Sequence, residues 1–276
     1  MRRTVTEIRS MKAKGKRITV LTAYDASMAR LLSECGVDIL LVGDSLGMVM
    51  LGYDSTVPVT MEEMLHHAKA VRRGAPESFI VGDMPYGSYH TGVRDAVING
   101  LRFIKEAGCD AVKLEGGLAM CETVRALVAA GVPVMAHIGL TPQTASQLGG
   151  YKVQGKGIEE ARRLLAEAKG LEEAGAFGIV IECVPSKLAK VLSASLAMPT
   201  IGIGAGVDCD GQVLVIHDML GMFEKFTPKF VKKYADLAPL MKAAIKQYDE
   251  EVRAGVYPGT EHGFAGEGDY LELLSQ

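Results

Sequence analysis

The sequence predicts an α/β protein folded as a single (β/α)₈ barrel. Eight short apolar segments recur along the 276 residues, and helix-like segments separate most of them. Short apolar runs without alternation suit parallel strands buried on both faces, and alternation with helices indicates a parallel sheet. A doubly wound sheet usually has fewer strands and a glycine-rich first turn, whereas the first run here ends in TAYDAS. Eight strand–helix units in a chain of this length therefore favour the barrel.

The eight predicted strands set the order of the elements. They cover residues 17–23, 38–44, 78–84, 110–116, 132–138, 177–183, 198–204 and 212–218. The basic N-terminal segment that precedes them lacks the apolar core of a signal sequence. It is expected to form a short surface helix.

Helical patterns fill most of the connections. They cover residues 27–36, 60–74, 93–108, 119–131, 158–175, 187–197 and 228–255. Asp25 is a good N-cap for the first of these helices, and Thr60 with Glu63 forms a capping box for the second. Pro239 predicts a kink in the last one. No composition shift divides the chain, so we expect one barrel domain with its N-terminal helix over residues 1–262 and a tail without an assigned role over 263–276.

Composition excludes several classes of partner. The net charge is −3, the pI is about 6.1 and tryptophan is absent, which argues against binding to nucleic acid. No apolar run approaches the roughly 20 residues of a membrane span. The five cysteines are odd in number and scattered, which is typical of reduced thiols and predicts a cytoplasmic protein.

Polar residues stand at the C-terminal ends of the predicted strands, where barrels carry their chemistry. In chain order these are Tyr24, Asp25, Asp44, Ser45, Asp83, Lys113, Glu115, His137, Glu182, the glycine-rich segment 202–206, His217 and Asp218. A Val-Gly-Asp step ends both the second and the third strand, which places two carboxylates on one rim. Lys113 and Glu115 are two residues apart, so they face the same side.

Asp44, Asp83 and Glu115 together predict a site for a divalent cation. They offer oxygen ligands without sulfur or paired histidines, which suits Mg²⁺ or Mn²⁺ better than Zn²⁺. Mg²⁺ typically takes one or two carboxylates and completes its shell with water and substrate oxygens. A site with only these carboxylates as protein ligands matches that coordination preference.

Each of these residues also has an ordinary structural interpretation. A single Asp after a strand is usually a turn former or an N-cap. Lys113 could be the counter-ion of Glu115, His137 could be a hydrogen-bonded core histidine, and Glu182 could be a general base or half of a structural ion pair. The repeated Gly-Asp step, with further carboxylates on the same rim, favours a site. The segment GIGAG at 202–206 is interpreted as close-packed backbone that lines the pocket.

Longer segments resemble the ketopantoate hydroxymethyltransferase family. The resemblance covers about residues 5–262 and is carried by TAYD 22–25, LLVGDSLGMV 40–49, GYDSTVPVT 52–60, HHAKAVRRGAP 66–76, VKLEGG 112–117, HIGLTPQ 137–143, GGYKVQGKG 149–157, IECVP 181–185, IGIGAG 201–206, DGQVLVIHD 210–218 and YPGTEH 257–262. It implies a (β/α)₈ barrel of the phosphoenolpyruvate/pyruvate type. It also implies a homo-oligomer, commonly a decamer of two stacked pentameric rings.

The resemblance also implies an activity in pantothenate and coenzyme A biosynthesis. A hydroxymethyl group would pass from 5,10-methylenetetrahydrofolate to 3-methyl-2-oxobutanoate, giving ketopantoate and tetrahydrofolate. Removal of the C3 proton of the keto acid would give an enolate that Mg²⁺ stabilises. The sequence does not indicate where the folate binds.

Roles for individual residues follow from the same resemblance. Asp44 and Asp83 are implied as the Mg²⁺ carboxylates, with Glu115 as a third metal contact, direct or through water. The keto acid is expected on Asp44, Ser45, Asp83 and Lys113, with His137 as a polar group of the active site. Glu182 is implied as the catalytic base.

Two other readings stay open at this point. An isocitrate-lyase-like aldolase would carry a catalytic cysteine in a KKCGH-like loop, and no such loop occurs in the sequence. A non-catalytic barrel that senses a metal or a keto acid would bind the substrate without exchanging its C3 proton.

Overall fold

Eight parallel strands close into a barrel in chain order, and the last strand pairs with the first. The computed structural model describes residues 2–264. The strands are β1 Ile18–Thr22, β2 Ile39–Val42, β3 Phe79–Asp83, β4 Ala111–Glu115, β5 Val134–Gly139, β6 Gly178–Glu182, β7 Thr200–Ile203 and β8 Gly211–Leu214. Six lie within a predicted strand, β5 ends one residue beyond its prediction and β8 starts one residue before its own, so the barrel prediction is confirmed. The predicted tail, apart from Gly263 and Phe264, lies outside the described residues.

Helices cover the outside of the barrel and one of its ends. They are α1 Val5–Ala13, α2 Ala26–Glu34, α3 Leu46–Val49, α4 Met61–Gly74, α5 Val93–Ala107, α6 Cys121–Ala129, α7 Ile158–Glu173, α8 Ser186–Ser195, α9 Ile216–Met219 and α10 Leu237–Arg253. Asp25 caps α2 as predicted, because its Oδ1 accepts a 2.8 Å hydrogen bond from the amide of Met28. The predicted capping box of α4 is present at Thr60 and Glu63. No helix in the described part of the chain is long and apolar enough to cross a membrane.

Two apolar cores follow from the alternation of side chains along each strand. One fills the barrel interior and includes Phe79 and Val81 of β3. Ile8 and Met11 of α1 join this interior core, so the N-terminal helix covers the end of the barrel where the strands begin. The other core lies between the strands and the surrounding helices. Residues that face inward at the ends of the strands therefore stand above a packed apolar floor.

Gly82 explains half of the repeated Gly-Asp step. It faces the helical layer, where a Cβ atom would lie 2.4 Å from Cδ1 of Phe103 on α5. A larger residue would push α5 away from the sheet. The glycine thus serves helix packing, while the following Asp83 faces into the barrel.

The last helix differs from the prediction of one helix over 228–255 with a kink at Pro239. Residues 228–236 are irregular, and α10 begins at Leu237. Pro239 therefore lies in the first turn, where an amide needs no partner within the helix. The predicted kink is wrong because the proline stands near the start of the helix rather than inside it.

The eighth predicted strand is also shorter than expected. β8 ends at Leu214, and the chain then enters the short helix α9. His217 and Asp218 consequently lie on α9 rather than on a strand, and both remain at the carboxyl end of the barrel.

Candidate active site

Charged side chains form a continuous row on the inner face of neighbouring strands. The strand registers place Asp83 beside Lys113 and Glu115 beside His137. Glu182 ends the next strand, β6. Because alternate residues of a strand face the same side, these five side chains meet at one end of the barrel. The structure therefore brings together the residues that the sequence analysis selected from separate strands.

Lys113 holds Asp83 with two hydrogen bonds. Its Nζ donates to Oδ1 at 2.8 Å and to Oδ2 at 2.9 Å, whereas Glu115 Oε1 is 3.9 Å away. Both partners of the closer pair are buried. Burial alone would lower the pKa of Lys113, but the charges of Asp83 and Glu115 outweigh it and raise that pKa. Lys113 is thus a buried ammonium whose nearest partner is Asp83 rather than Glu115, the counter-ion that the structural interpretation of the sequence considered.

Asp44 adds a second buried carboxylate next to Asp83. The amide of Asp44 donates to Asp83 Oδ2 at 3.3 Å. Burial, followed by the charges of Asp83 and Glu115, raises the pKa of Asp44 well above its usual range. Burial also raises the pKa of Asp83, although Lys113 opposes that shift. Asp44 and Asp83 therefore share the ammonium of Lys113, which cannot balance both carboxylates when both are ionised.

Gln143 and Tyr89 hold these carboxylates in place, and the sequence analysis singled out neither. Gln143 Nε2 donates to Asp44 Oδ2 at 3.0 Å, and its amide donates to Glu115 Oε2 at 3.1 Å. Tyr89 donates to Gln143 Oε1 at 2.6 Å, and its oxygen accepts the amide of Glu115 at 3.2 Å. All four side chains are buried. The only sequence signal was that Gln143 closes the family-like segment HIGLTPQ.

His137 lies between two carboxylates. Its Nδ1 is 3.4 Å from Glu115 Oε1, and its Nε2 is 3.3 Å from Glu182 Oε2. Neither contact has the alignment of a hydrogen bond, so we describe both as ion pairs. Burial and Lys113 would lower the pKa of His137, but the two carboxylates raise it to about 9. The ring is therefore an imidazolium at neutral pH. Unlike the hydrogen-bonded core histidine that the sequence left open as an alternative, it makes ion pairs instead of hydrogen bonds.

Ser45 is positioned by a buried tyrosine. Tyr24 OH and Ser45 Oγ are 2.8 Å apart, and Ser45 lines the same cavity as the charged row. The backbone carbonyl of Tyr24 is in turn 2.7 Å from His67 Nδ1. This chain of contacts fixes the hydroxyl at the rim beside Asp44.

One cavity of about 410 Å³ joins all the predicted site residues. Its floor is polar and contains Asp83 and Lys113, which are 2% and 4% exposed. Its mouth is bordered by apolar side chains such as Tyr151 and Phe226, which are 60% and 67% exposed. The predicted pocket lining by GIGAG is confirmed in part, because Ile203 of this segment borders the cavity.

Asp44 and Asp83 fit a magnesium ion better than a metal with a full protein cage. Among residues 2–264, no group of three or more His, Cys, Asp or Glu side chains is arranged to hold a metal. Glu115 Oε1 faces His137 and its Oε2 accepts an amide, so both oxygens already have partners. Two buried carboxylates with raised pKa values match Mg²⁺, which keeps several positions for water and substrate. The role of Glu115 as a third contact stays a prediction.

Solved structures with this fold include enzymes of small acids. A phosphonopyruvate hydrolase solved with oxalate and Mg²⁺ has a TM-score of 0.62 at 13% identity, over 99% of this chain and 95% of its own. A 2,3-dimethylmalate lyase of the PEP mutase/isocitrate lyase superfamily has a TM-score of 0.57 at 17% identity, over 100% and 94%. At these identities the likeness concerns the fold alone. It agrees with the (β/α)₈ barrel described above.

Closer relatives share one name. The 3-methyl-2-oxobutanoate hydroxymethyltransferase of Desulfotalea psychrophila (strain LSv54 / DSM 12343) is 65% identical over 275 residues, which is 100% of this chain and 99% of that protein. The enzyme of the same name from Heliobacterium modesticaldum (strain ATCC 51547 / Ice1) is 59% identical over 261 residues, or 95% of each chain. The family model for ketopantoate hydroxymethyltransferase matches residues 2–260. The chain therefore belongs to the ketopantoate hydroxymethyltransferase family, a family of one-carbon transferases.

Proposed function

We propose that this chain transfers a hydroxymethyl group from 5,10-methylenetetrahydrofolate to 3-methyl-2-oxobutanoate in pantothenate biosynthesis. The products are ketopantoate and tetrahydrofolate, and one water is consumed. The observation that carries the proposal is the row from Asp83 to Glu182 together with the neighbouring Asp44, which joins an anion-binding ammonium, two candidate metal carboxylates and a candidate base in one cavity. The family to which the chain belongs supports the choice of substrates.

The keto acid binds at the polar floor in this proposal. Its carboxylate and 2-oxo group face Lys113, Ser45 and the two aspartates. Its isopropyl group faces the apolar part of the cavity wall. A Mg²⁺ ion held by Asp44 and Asp83 would supply positive charge beside the 2-oxo oxygen. Lys113 adds a second positive charge there, and its bidentate hold on Asp83 keeps it in place.

Glu182 is the base that takes the C3 proton. The bonding electrons of the C3–H bond move towards C2, and the 2-oxo oxygen gains negative charge. Glu182 is 15% exposed and stands 3.3 Å from His137, so it lies at the edge between the buried row and the open cavity. His137 itself is already protonated at neutral pH, as its pKa of about 9 requires. It therefore holds the Glu182 carboxylate by charge instead of acting as the base.

The carbon–carbon bond then forms at C3. The enolate carbon bonds to the methylene carbon, both bonds from that carbon to the folate nitrogens N5 and N10 break, and a water oxygen becomes the hydroxyl group of ketopantoate. One of the two hydrogens gained by the folate nitrogens comes from that water, and the other balances the C3 proton taken by Glu182. The chain's own contribution is to orient the two substrates and to exclude bulk water, since the floor residues are buried.

Proton exchange at C3 tests this proposal. We expect the protein with Mg²⁺ in D₂O to exchange the C3 proton of 3-methyl-2-oxobutanoate without folate, and to form ketopantoate once 5,10-methylenetetrahydrofolate is added. Proton NMR follows both reactions, and 3,3-dimethyl-2-oxobutanoate, which has no C3 proton, serves as the control. Tight binding of the keto acid without exchange would instead identify a non-catalytic sensor.

The proposal includes a cytoplasmic homo-oligomer, with a decamer expected. The five cysteines are free, which suits a reducing compartment. On α10 only Ala238 is buried, while Met241, Ile245, Tyr248 and Val252 are 45–65% exposed. Their spacing of three and four residues makes one apolar stripe on the helix. Such a stripe is typical of a surface that contacts another chain.

Charge placed on this stripe should reduce the size of the assembly. We expect Ile245→Glu to lower the mass measured by light scattering, because an ionised side chain in an apolar contact loses its hydration. Lys246→Gln is the control, because Lys246 lies next to Ile245 on α10 but its partner is Glu250 of the same helix. An Ile245→Glu protein with the wild-type mass would exclude α10 as an assembly contact, and a wild-type monomer would remove the oligomer from the proposal.

A further inference from the structure

The cavity contains a second region that the keto-acid chemistry does not use. The charged row lies on β3 to β6, whereas Asp218 follows β8 and stands across the closed barrel from β4. Asp218 and the segment 223–230 line the same cavity. A volume of about 410 Å³ is in the range of pockets for drug-sized ligands, and a five-carbon keto acid leaves much of it empty.

Asp218 is a buried carboxylate in this second region. It is 9% exposed and borders the cavity. In the described part of the chain, its carboxylate makes neither a hydrogen bond nor an ion pair. Burial raises the pKa of Asp218 to about 6, although Lys233 opposes the shift, so the group is mostly ionised at neutral pH. A buried anion of this kind is costly unless a ligand satisfies it.

The segment 223–230 forms an aromatic wall next to Asp218. Its sequence FEKFTPKF contains three of the seven phenylalanines of the chain, and Phe223, Phe226 and Phe230 all line the cavity. Phe230 is seated on Gly204, where a Cβ atom would lie 2.8 Å from its Cδ1. Exposing apolar rings to water at the mouth of a pocket costs free energy, and a flat ligand that covers the rings would remove that cost.

Lys229 adds positive charge to the same wall. It lines the cavity and is exposed. Two lysines that follow this segment have contacts of their own, since Lys232 lies 4.6 Å from the ring centre of Tyr234 and Lys233 lies 3.7 Å from Asp236. A cation at the mouth, in a chain of net charge −3, suits a ligand with an anionic tail.

We infer that this second region binds the folate co-substrate, with its pterin ring on the aromatic wall and at Asp218, and its glutamate carboxylates near Lys229. The pyrimidine edge of a pterin presents a ring N–H and an amino group side by side, and a carboxylate accepts such a pair with both oxygens. The flat ring stacks on phenylalanine as a nucleobase does. This inference rests on the proposed function, because it assigns the binding region for one of its two substrates.

Binding of tetrahydrofolate tests the role of Asp218. Isothermal calorimetry without oxygen gives the Kd for the wild type, for Asp218→Asn and for the control Asp208→Asn, whose carboxylate is partly exposed and lies 3.7 Å from Lys190. We expect Asp218→Asn to raise the Kd on the order of ten- to hundredfold, because a charge-assisted hydrogen-bonded pair is lost. Its KM for the folate should rise more than its KM for the keto acid. Asp208→Asn should bind as the wild type does.

Two further variants carry little risk to folding. Phe226 is 67% exposed, and Phe226→Ala should weaken tetrahydrofolate binding by about fivefold or more, because a stacking contact is lost. Lys229→Ala should weaken binding of the triglutamate form more than the monoglutamate form, and Lys232→Ala is its matched control. Equal effects of the two lysine variants would mean that binding depends on the overall positive charge of this surface and not on Lys229 in particular.

Failure of the inference is distinguishable from failure of the proposed function. If the wild type exchanges the C3 proton and binds tetrahydrofolate, while Asp218→Asn and Phe226→Ala, both folded by circular dichroism, bind it equally well, the inference is overturned and the proposed function stands. If the wild type exchanges the proton but does not bind tetrahydrofolate, the folate assignment itself fails. Absence of exchange in the wild type overturns the proposed function.

Discussion

Replacing Glu182 with glutamine should slow exchange of the C3 proton by a factor on the order of 10²–10⁴, the range for loss of a general base. The substitution keeps the shape of the side chain and removes its charge. Affinity for Mg²⁺ should change little, because the candidate metal carboxylates follow β2 (Asp44) and end β3 (Asp83), whereas Glu182 ends β6. The measurement is C3 exchange by NMR at saturating keto acid, together with Mg²⁺ calorimetry.

A control separates chemistry from folding in this test. Glu159 on α7 is 80% exposed, so Glu159→Gln should exchange at the wild-type rate. A wild-type exchange rate in Glu182→Gln would place the base elsewhere. A parallel fall in exchange, metal affinity and melting temperature would show instead that Glu182 is half of a structural ion pair with His137.

Removal of either aspartate should abolish most Mg²⁺ binding, but the two variants should differ in stability. We expect Asp44→Asn and Asp83→Asn each to weaken Mg²⁺ binding by more than about a hundredfold. Replacing a residue that only hydrogen-bonds to a metal ligand already lowers metal affinity by about 10- to 100-fold. With a chelator present, Asp83→Asn should be destabilised by about 3–5 kcal/mol, because it leaves Lys113 buried without its closest partner.

Asp44→Asn should be as stable as the wild type or more stable. The folded-state pKa of Asp44 is raised by burial and by Asp83, so the ionised carboxyl costs stability at pH values above its ordinary pKa, and a neutral amide removes that cost. An asparagine oxygen can still accept the hydrogen bond from Gln143. Thermal unfolding at pH 7 in chelator measures the difference. Unchanged Mg²⁺ affinity in both variants would refute the metal site.

The residues at the ends of the predicted strands identified much of the site. The position of a residue on a parallel strand determines how close it lies to the carboxyl end of the barrel and whether its side chain faces inward or outward. Asp83, Lys113, Glu115 and His137 all face inward near the carboxyl end of a strand, and the alternation within one strand suffices to place each of them there. The partner of Lys113 could not be predicted in this way. Whether it meets Asp83 or Glu115 depends on the register between β3 and β4, which no single segment encodes.

The supporting residues were missed for a different reason. Gln143 contacts Asp44 across 99 positions of sequence, and it does so from the short 3₁₀ turn Pro142–Thr144. Irregular turns have no periodicity that would indicate where a side chain points. The start of α10 was misplaced because residues 228–236 have a helix-like composition, while Pro239 fixes the first turn.

The apolar plug of α1 at the far end of the barrel has a kinetic consequence. With Ile8 and Met11 packed into the interior core, ligands reach Asp83 and Lys113 from the opposite, carboxyl end. A small molecule seated on that buried pair must arrive before any larger one that occupies the aromatic mouth, and it can depart only after the larger one has gone. In the proposed two-substrate cycle, we therefore expect the keto acid to bind first and its product to leave last.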